Sequence, residues 1–173
     1  MKTSKKIIAL ILAALAAFVM LAACGGGNEG GGGGGNAAVK GSTQEWGNLS
    51  LFIPDGYSLI GGSLIDAEDP DSAWILLDSD NTHYFLIGVV DGKSDAEDSL
   101  DMTKEMNEAN GGAGDVTLNA GGVSWTGYAY KYNSTDCFEL YAEVGGKWVT
   151  VSSAYHAYDS DLTLAVLGGL TVK

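Results

Sequence analysis

The stretch 123-VSWTGYAYKYNSTDCFELYAEVGGKWVTVSSA-154 decides the fold. Aromatic and aliphatic residues recur at every second position, the period of a strand with two different faces. The runs Val123 to Tyr132, Cys137 to Val144 and Lys147 to Ala154 are separated by Asn133 to Asp136 and by Gly145-Gly146, the second a two-residue hairpin signal. Just upstream, Val116 to Asn119 reads as a further strand, joined through Ala120-Gly121-Gly122. Four strands with links this short predict an antiparallel meander.

Working toward the N-terminus, the period changes. Ser94-Asp95-Ala96-Glu97 has the form of a capping box, so a helix is predicted from Asp95 to about Ala109, with Gly111 suited to the residue past its end. Leu100, Thr103, Met106 and Ala109 give it a thin apolar stripe. Before it, Ala73 to Leu77 and Tyr84 to Val90 are apolar runs around the polar tetrad Asp78-Ser79-Asp80-Asn81, which predicts a hairpin of central strands buried on both faces. Leu49 to Ile53 alternates into the turn Pro54-Asp55-Gly56, and Tyr57 to Ile60 continues as a short strand. Toward the C-terminus, Asp159-Ser160-Asp161 reads as an N-cap for a helix over Leu162 to Leu170. The fold class is therefore α+β, an antiparallel sheet with one central and one C-terminal helix packed on it.

This order of elements, with the opening segment Leu49-Ser50-Leu51-Phe52-Ile53-Pro54-Asp55-Gly56-Tyr57, resembles the PsbP-like fold over about Leu49 to Leu170. That fold also occurs in a nuclear import factor that binds a small GTPase and in bacterial lipoproteins. The resemblance implies a binding module and carries over no functional residue. A cystatin-like or NTF-like arrangement is the second choice, and would want its long helix before the sheet.

The N-terminal third has a different character. Lys2, Lys5 and Lys6 precede Ile7 to Ala23, which contains no charge. This is the order of a secretory signal. As a helix the run would reach only about 25 Å, short of the roughly 30 Å hydrocarbon core. It ends in Leu21-Ala22-Ala23-Cys24, which matches the bacterial lipobox: cleavage is expected between Ala23 and Cys24, with a diacylglycerol on the Cys24 thiol. Residues 24–45 follow as a tether, with nine glycines among the twelve residues from Gly25 to Asn36. Such a chain has nothing to bury against its ordering entropy and is expected as coil. The combination resembles lipoproteins of Gram-positive bacteria, and predicts a protein anchored by lipid on the outer face of the cell membrane. The globular domain is residues 46–173.

That domain carries twenty acidic residues against five lysines, and the whole chain has no arginine. A negative field without guanidinium forks excludes nucleic acid as an expected partner. The partner expected instead is a protein or another component of the cell envelope. With Cys24 lipidated, Cys137 is the remaining cysteine, so no internal disulfide is available.

Three sets of residues are candidates for chemistry. Asp78 and Asp80, or Asp66, Glu68, Asp69 and Asp71, offer oxygens for calcium. The alternative function is accordingly that of an acidic surface protein binding Ca2+ or other cations. Counted from Asp78, an EF-hand would need glycine where His83 stands and glutamate where Val89 stands, so the pattern does not match. Cys137 with His83 or His156 has the residue types of a thiol nucleophile and base, but no local signature accompanies them. Neither an enzyme nor a cofactor, apart from the covalent lipid, is expected. The third set is Tyr128, Tyr130 and Tyr132, which alternate along one face, with Tyr141 on the neighbouring strand. Apolar rings with polar tips suit recognition, and at least two of the four are expected to stay partly exposed. The alternative is that this face packs under the helices.

Overall fold

The computed structural model describes residues 39–61, 72–108 and 113–173. The signal stretch with Ala23 and Cys24, the glycine run, the acidic loop 66–71 and Gly111 lie outside the described residues.

The hydrophobic runs form the strands expected of them. β2 (Leu49–Pro54), β3 (Tyr57–Gly61), β4 (Ala73–Asp78) and β5 (Tyr84–Val90) precede helix α1 (Lys93–Glu108). The meander β6 (Ala113–Ala120), β7 (Val123–Tyr132), β8 (Thr135–Val144) and β9 (Lys147–Ala154) leads to α2 (Asp161–Gly168). Strands β3 to β9 build one antiparallel seven-stranded sheet in the order β3-β4-β5-β9-β8-β7-β6. Its centre is β5 against β9, so the predicted two-sided hairpin β4–β5 is buried on both faces.

The first and last strands depart from expectation. β1 (Gly41–Trp46) and β10 (Thr171–Val172) flank β2 in a separate three-stranded sheet. Gly41 to Glu45, expected as coil, forms a paired edge strand instead. β2 is buried and offers its backbone groups on both sides, and a polar segment can take one of them without burying any side chain of its own. A side chain at Gly41 would meet the Ile53 carbonyl at 2.3 Å, so glycine suits the pairing. Lys173 adds an ion pair to Glu45 at 2.8 Å. Trp46 then closes over Gly61 at the edge of the large sheet.

α1 begins two residues early. The Gly92 carbonyl accepts from Asp95 and Ala96 at 3.1 and 3.3 Å, which places Ser94 inside the first turn rather than at the cap. α2 starts as expected, with Ser160 Oγ accepting from the Thr163 amide at 3.2 Å. It stops at Gly168, because Gly169 must pass against Phe52 and free the chain for β10.

The main core fills the space between the large sheet and the layer of α2 and the small sheet. Leu49, Leu51, Val166 and Leu167 pack there on Trp74, Phe85, Trp125 and Phe138, all essentially inaccessible. The opposite face of the large sheet carries α1 and two smaller clusters, one of them Leu100, Tyr128, Tyr130 and Cys137.

Candidate functional site

One end of the large sheet concentrates unusual geometry. Register places Tyr57 beside Asp78, and both Tyr84 and Cys137 beside Ala154. The β4–β5 turn, the β7–β8 turn and the segment after β9 therefore lie at the same end. The described residues with positive φ other than glycine all fall there: Asn81, Asn133, Ser134 and Tyr155. Asparagine tolerates that conformation, and Asn133-Ser134 is a two-residue turn tighter than the four residues read from sequence. Tyr155, at φ 78°, has no such excuse, since a bulky residue there is strained. Its amide donates to the Asp136 carbonyl at 2.8 Å, and its ring stands edge-on to His83.

That reversal turns His156 back into the protein, where it stacks on Phe85 with ring centroids 4.5 Å apart. The hydrogen-bond directions around it follow from one atom. Ser153 Oγ lies 2.6 Å from the Tyr84 carbonyl, which can only accept, so the serine hydrogen goes there. His156 Nδ1, 2.7 Å from the same oxygen, must then donate to it, and Nε2 accepts from the Tyr57 hydroxyl at 2.8 Å. The imidazole is neutral: burial, then nearby His83, holds its pKa down to about 4. Burial, then Asp78, pushes the Tyr57 phenol up to about 12. Ser153 gives its hydrogen to a backbone carbonyl and receives one from the histidine, the reverse of a serine activated by a general base. The chain Tyr57–His156–Ser153–Tyr84 ties β3 to β5 and β9.

Beside this cluster opens a cleft of about 350 Å³ lined by Tyr130, Lys131, Asp136, Cys137, Tyr158 and Asp159, among others. Lys131 and Asp136 pair across its rim at 2.7 Å. The histidines are not among its walls, and burial pushes the Cys137 thiol up, away from the thiolate a nucleophile needs. Tyr132 and Tyr155, two of the more exposed large side chains of the domain, stand at this same end.

The four tyrosines read as one recognition row are divided. Tyr128 and Tyr130 are 1% and 9% exposed, packed with Leu100 beneath α1, and belong to the core. Tyr132 is 38% exposed at the turn, beyond the helix. Tyr141 is half-buried, and its hydroxyl donates to Glu97 of α1 at 3.1 Å. The alternation correctly put them on one face. Where α1 crosses that face is a matter of tertiary packing, which the alternation does not report.

Asp78 is occupied. Its carboxylate accepts from the Thr82 amide at 2.8 Å, from the Thr82 hydroxyl at 3.1 Å and from His83 Nδ1 at 2.7 Å. Partial burial works against its charge, but these donors outweigh it and its pKa is lowered. Asp80 is exposed in the turn beyond. Among the described residues no group of three or more His, Cys, Asp and Glu side chains is placed to hold a metal. Tyr155 stands out in the sequence only as an aromatic just past the last strand, and Tyr57, Lys131 and Asp136 carry no signal there beyond proximity to predicted turns.

No known family model matches the chain, and no curated protein does. Among solved structures, a protein of unknown function, PA94 from Pseudomonas aeruginosa, aligns over 69% of this chain and 85% of its own at 13% identity, with a TM-score of 0.26. That likeness is too low to argue from.

Proposed function

We propose that this chain is a lipid-anchored extracytoplasmic binding module, held to the outer face of a bacterial membrane through Cys24, which takes its partner at the turn end of the large sheet. The observation that carries the binding assignment is the strained Tyr155, at the same end of the sheet as the exposed Tyr132 and the cleft. Strain of about 1–3 kcal/mol persists where surrounding structure enforces it, and it concentrates at ligand-contacting sites. Exposed tyrosines offer apolar area with little side-chain entropy to lose. A net charge of −13 and the lack of arginine favour a cationic or neutral partner over a polyanion. The lipobox supports the anchor, because more than one acyl chain is needed for stable membrane attachment. The PsbP-like resemblance belongs to this reading: a strand group, a helix, a four-stranded meander and a closing helix are consistent with it.

Labelling cells with an alkyne fatty acid tests the anchor. Wild type should take up label and fractionate with membranes, and Cys24→Ala should do neither through this site. Equal labelling of the two would overturn the lipoprotein assignment.

A further inference from the structure

The face of the large sheet beneath α1 is built differently from the core side. Its floor includes Glu139, Thr150 and Ser152, and the helix returns Ala96, Ser99, Leu100 and Thr103 as buried residues. Leu100 is the one large apolar side chain in that set. The helix is otherwise held by polar ties: Tyr141 to Glu97, Lys104 to Asp115, and Thr103 to Glu139 at 2.7 Å. Of the three, only the last is buried.

The Thr103 hydroxyl has one hydrogen and three acceptors in range, the carbonyls of Ser99 and Leu100 at 2.9 and 3.1 Å and Glu139 Oε2 at 2.7 Å. If Glu139 is ionised, Thr103 donates to Oε2, and the buried Tyr128 hydroxyl is a second donor turned to the carboxylate. If Glu139 is neutral, its Oε2 hydrogen goes to Thr103 Oγ1, and Thr103 donates onward to Ser99. With Tyr128 on hand for either form, the neutral acid makes one bond more than the carboxylate, and it buries no charge.

The groups facing the carboxyl supply no counter-charge. They are Tyr128 and Tyr130 from β7, Cys137 and Tyr141 from β8, Tyr84 from β5, the unionisable Thr150 and Ser152 from β9, and Thr103 from α1. Lys104 and Lys93 on α1 are engaged with Asp115 and Glu97. A cavity of about 10 Å³ beside Glu139 has room for about one water.

We propose that Glu139 is carried as the neutral acid in the folded protein and acts as a proton-operated latch for α1, docking the helix while protonated and releasing it from the tyrosine-bearing face when the proton is lost. This stands apart from the partner reading above, since it concerns the helix alone. Burial agrees with it: desolvation pushes the Glu139 pKa from its ordinary 4.5 to about 7, with the Thr103 and Tyr128 hydroxyls pulling the other way. A folded pKa raised above the unfolded one means that the folded state binds the proton more tightly. The stabilisation is complete below about pH 4.5 and is lost as pH rises through about 7.

Amide hydrogen exchange of the mature domain between about pH 5 and 8 tests this. Corrected for the intrinsic rate, wild-type protection over Ala96 to Asn107 should fall toward tenfold per pH unit between about pH 5 and 7 and level off above about 7, while β5 and β9 keep theirs. Glu139→Gln should hold the helix at constant protection across the range, and Glu139→Leu serves if the amide variant fails to fold. Infrared difference spectra of wild type should also show a buried protonated carboxyl that disappears on the same titration. A wild-type helix with pH-independent protection, an identical fall in the variants, or a loss spread evenly over the sheet would each overturn the latch.

Discussion

Replacing Tyr155 by glycine and by alanine separates backbone strain from side-chain contact. Both variants lose the same ring, which is 37% exposed and touches His83 edge-on with centroids 5.3 Å apart, a contact of about 0.5–1.5 kcal/mol. Only glycine also relieves the backbone at φ 78°, where an L side chain costs roughly 1–2 kcal/mol. Against this, glycine loses about 0.4–1 kcal/mol more chain entropy on folding. The expected order is therefore wild type near Tyr155→Gly, with Tyr155→Ala less stable than the glycine variant by about 0.5–1.5 kcal/mol. Elsewhere in a folded chain alanine normally wins this comparison, so the inversion is diagnostic. Urea unfolding with linear extrapolation measures it, provided the slope is common to all three proteins. If alanine equals or exceeds glycine, the strain does not exist and the main argument for a functional role of this turn falls.

Tyr130→Ala should destabilise the domain by about 3–5 kcal/mol, the usual cost of truncating a buried aromatic, while Tyr132→Ala should stay within about 0.5 kcal/mol of wild type; the same urea titration reads both. Gly127→Ala should break the β7–β8 pairing, because its new carbon would stand 2.0 Å from the Glu139 carbonyl, and loss of the folded circular dichroism spectrum or a fall of several-fold in soluble yield would report it. His156 titrates in the opposite sense to Glu139. Its folded pKa of about 4 lies below the ordinary 6.5, so its stabilisation is present above about pH 6.5 and lost as pH falls through 4, amounting to about 3 kcal/mol. His156→Phe should be weaker at pH 7 yet lose less stability than wild type between pH 7 and 4, as measured by chemical unfolding at both.

The strands and helices of the domain were legible because their side chains repeat with the period of the backbone that carries them. Leu49 to Ile53, Tyr84 to Val90 and the β7–β9 meander needed nothing more. The edge strand β1 was not, since Gly41 to Trp46 is exposed throughout and pairs through its backbone. β10 escaped because its two residues follow a helix that glycine ends early. The candidate site was legible only in fragments. His83 and His156 are far apart in the chain, and the register of β5 against β9 is what sets their rings 5.6 Å apart. Tyr128 and Tyr132 look equivalent in the alternating pattern, yet one is core and the other open, because α1 covers only part of their face. In the sequence Glu139 looks like an ordinary solvent-facing acid in a strand; the helix above it changes its chemistry.

Photo-crosslinking in intact cells shows whether a partner is held at the turn end of the sheet. A photoreactive phenylalanine analogue at position 132 is compared with the same residue at position 147, an exposed site at the opposite end of the sheet. A discrete adduct is expected from position 132, weakened by Tyr155→Ala and absent from position 147. Adducts of equal yield from both positions, or none from position 132, would contradict it.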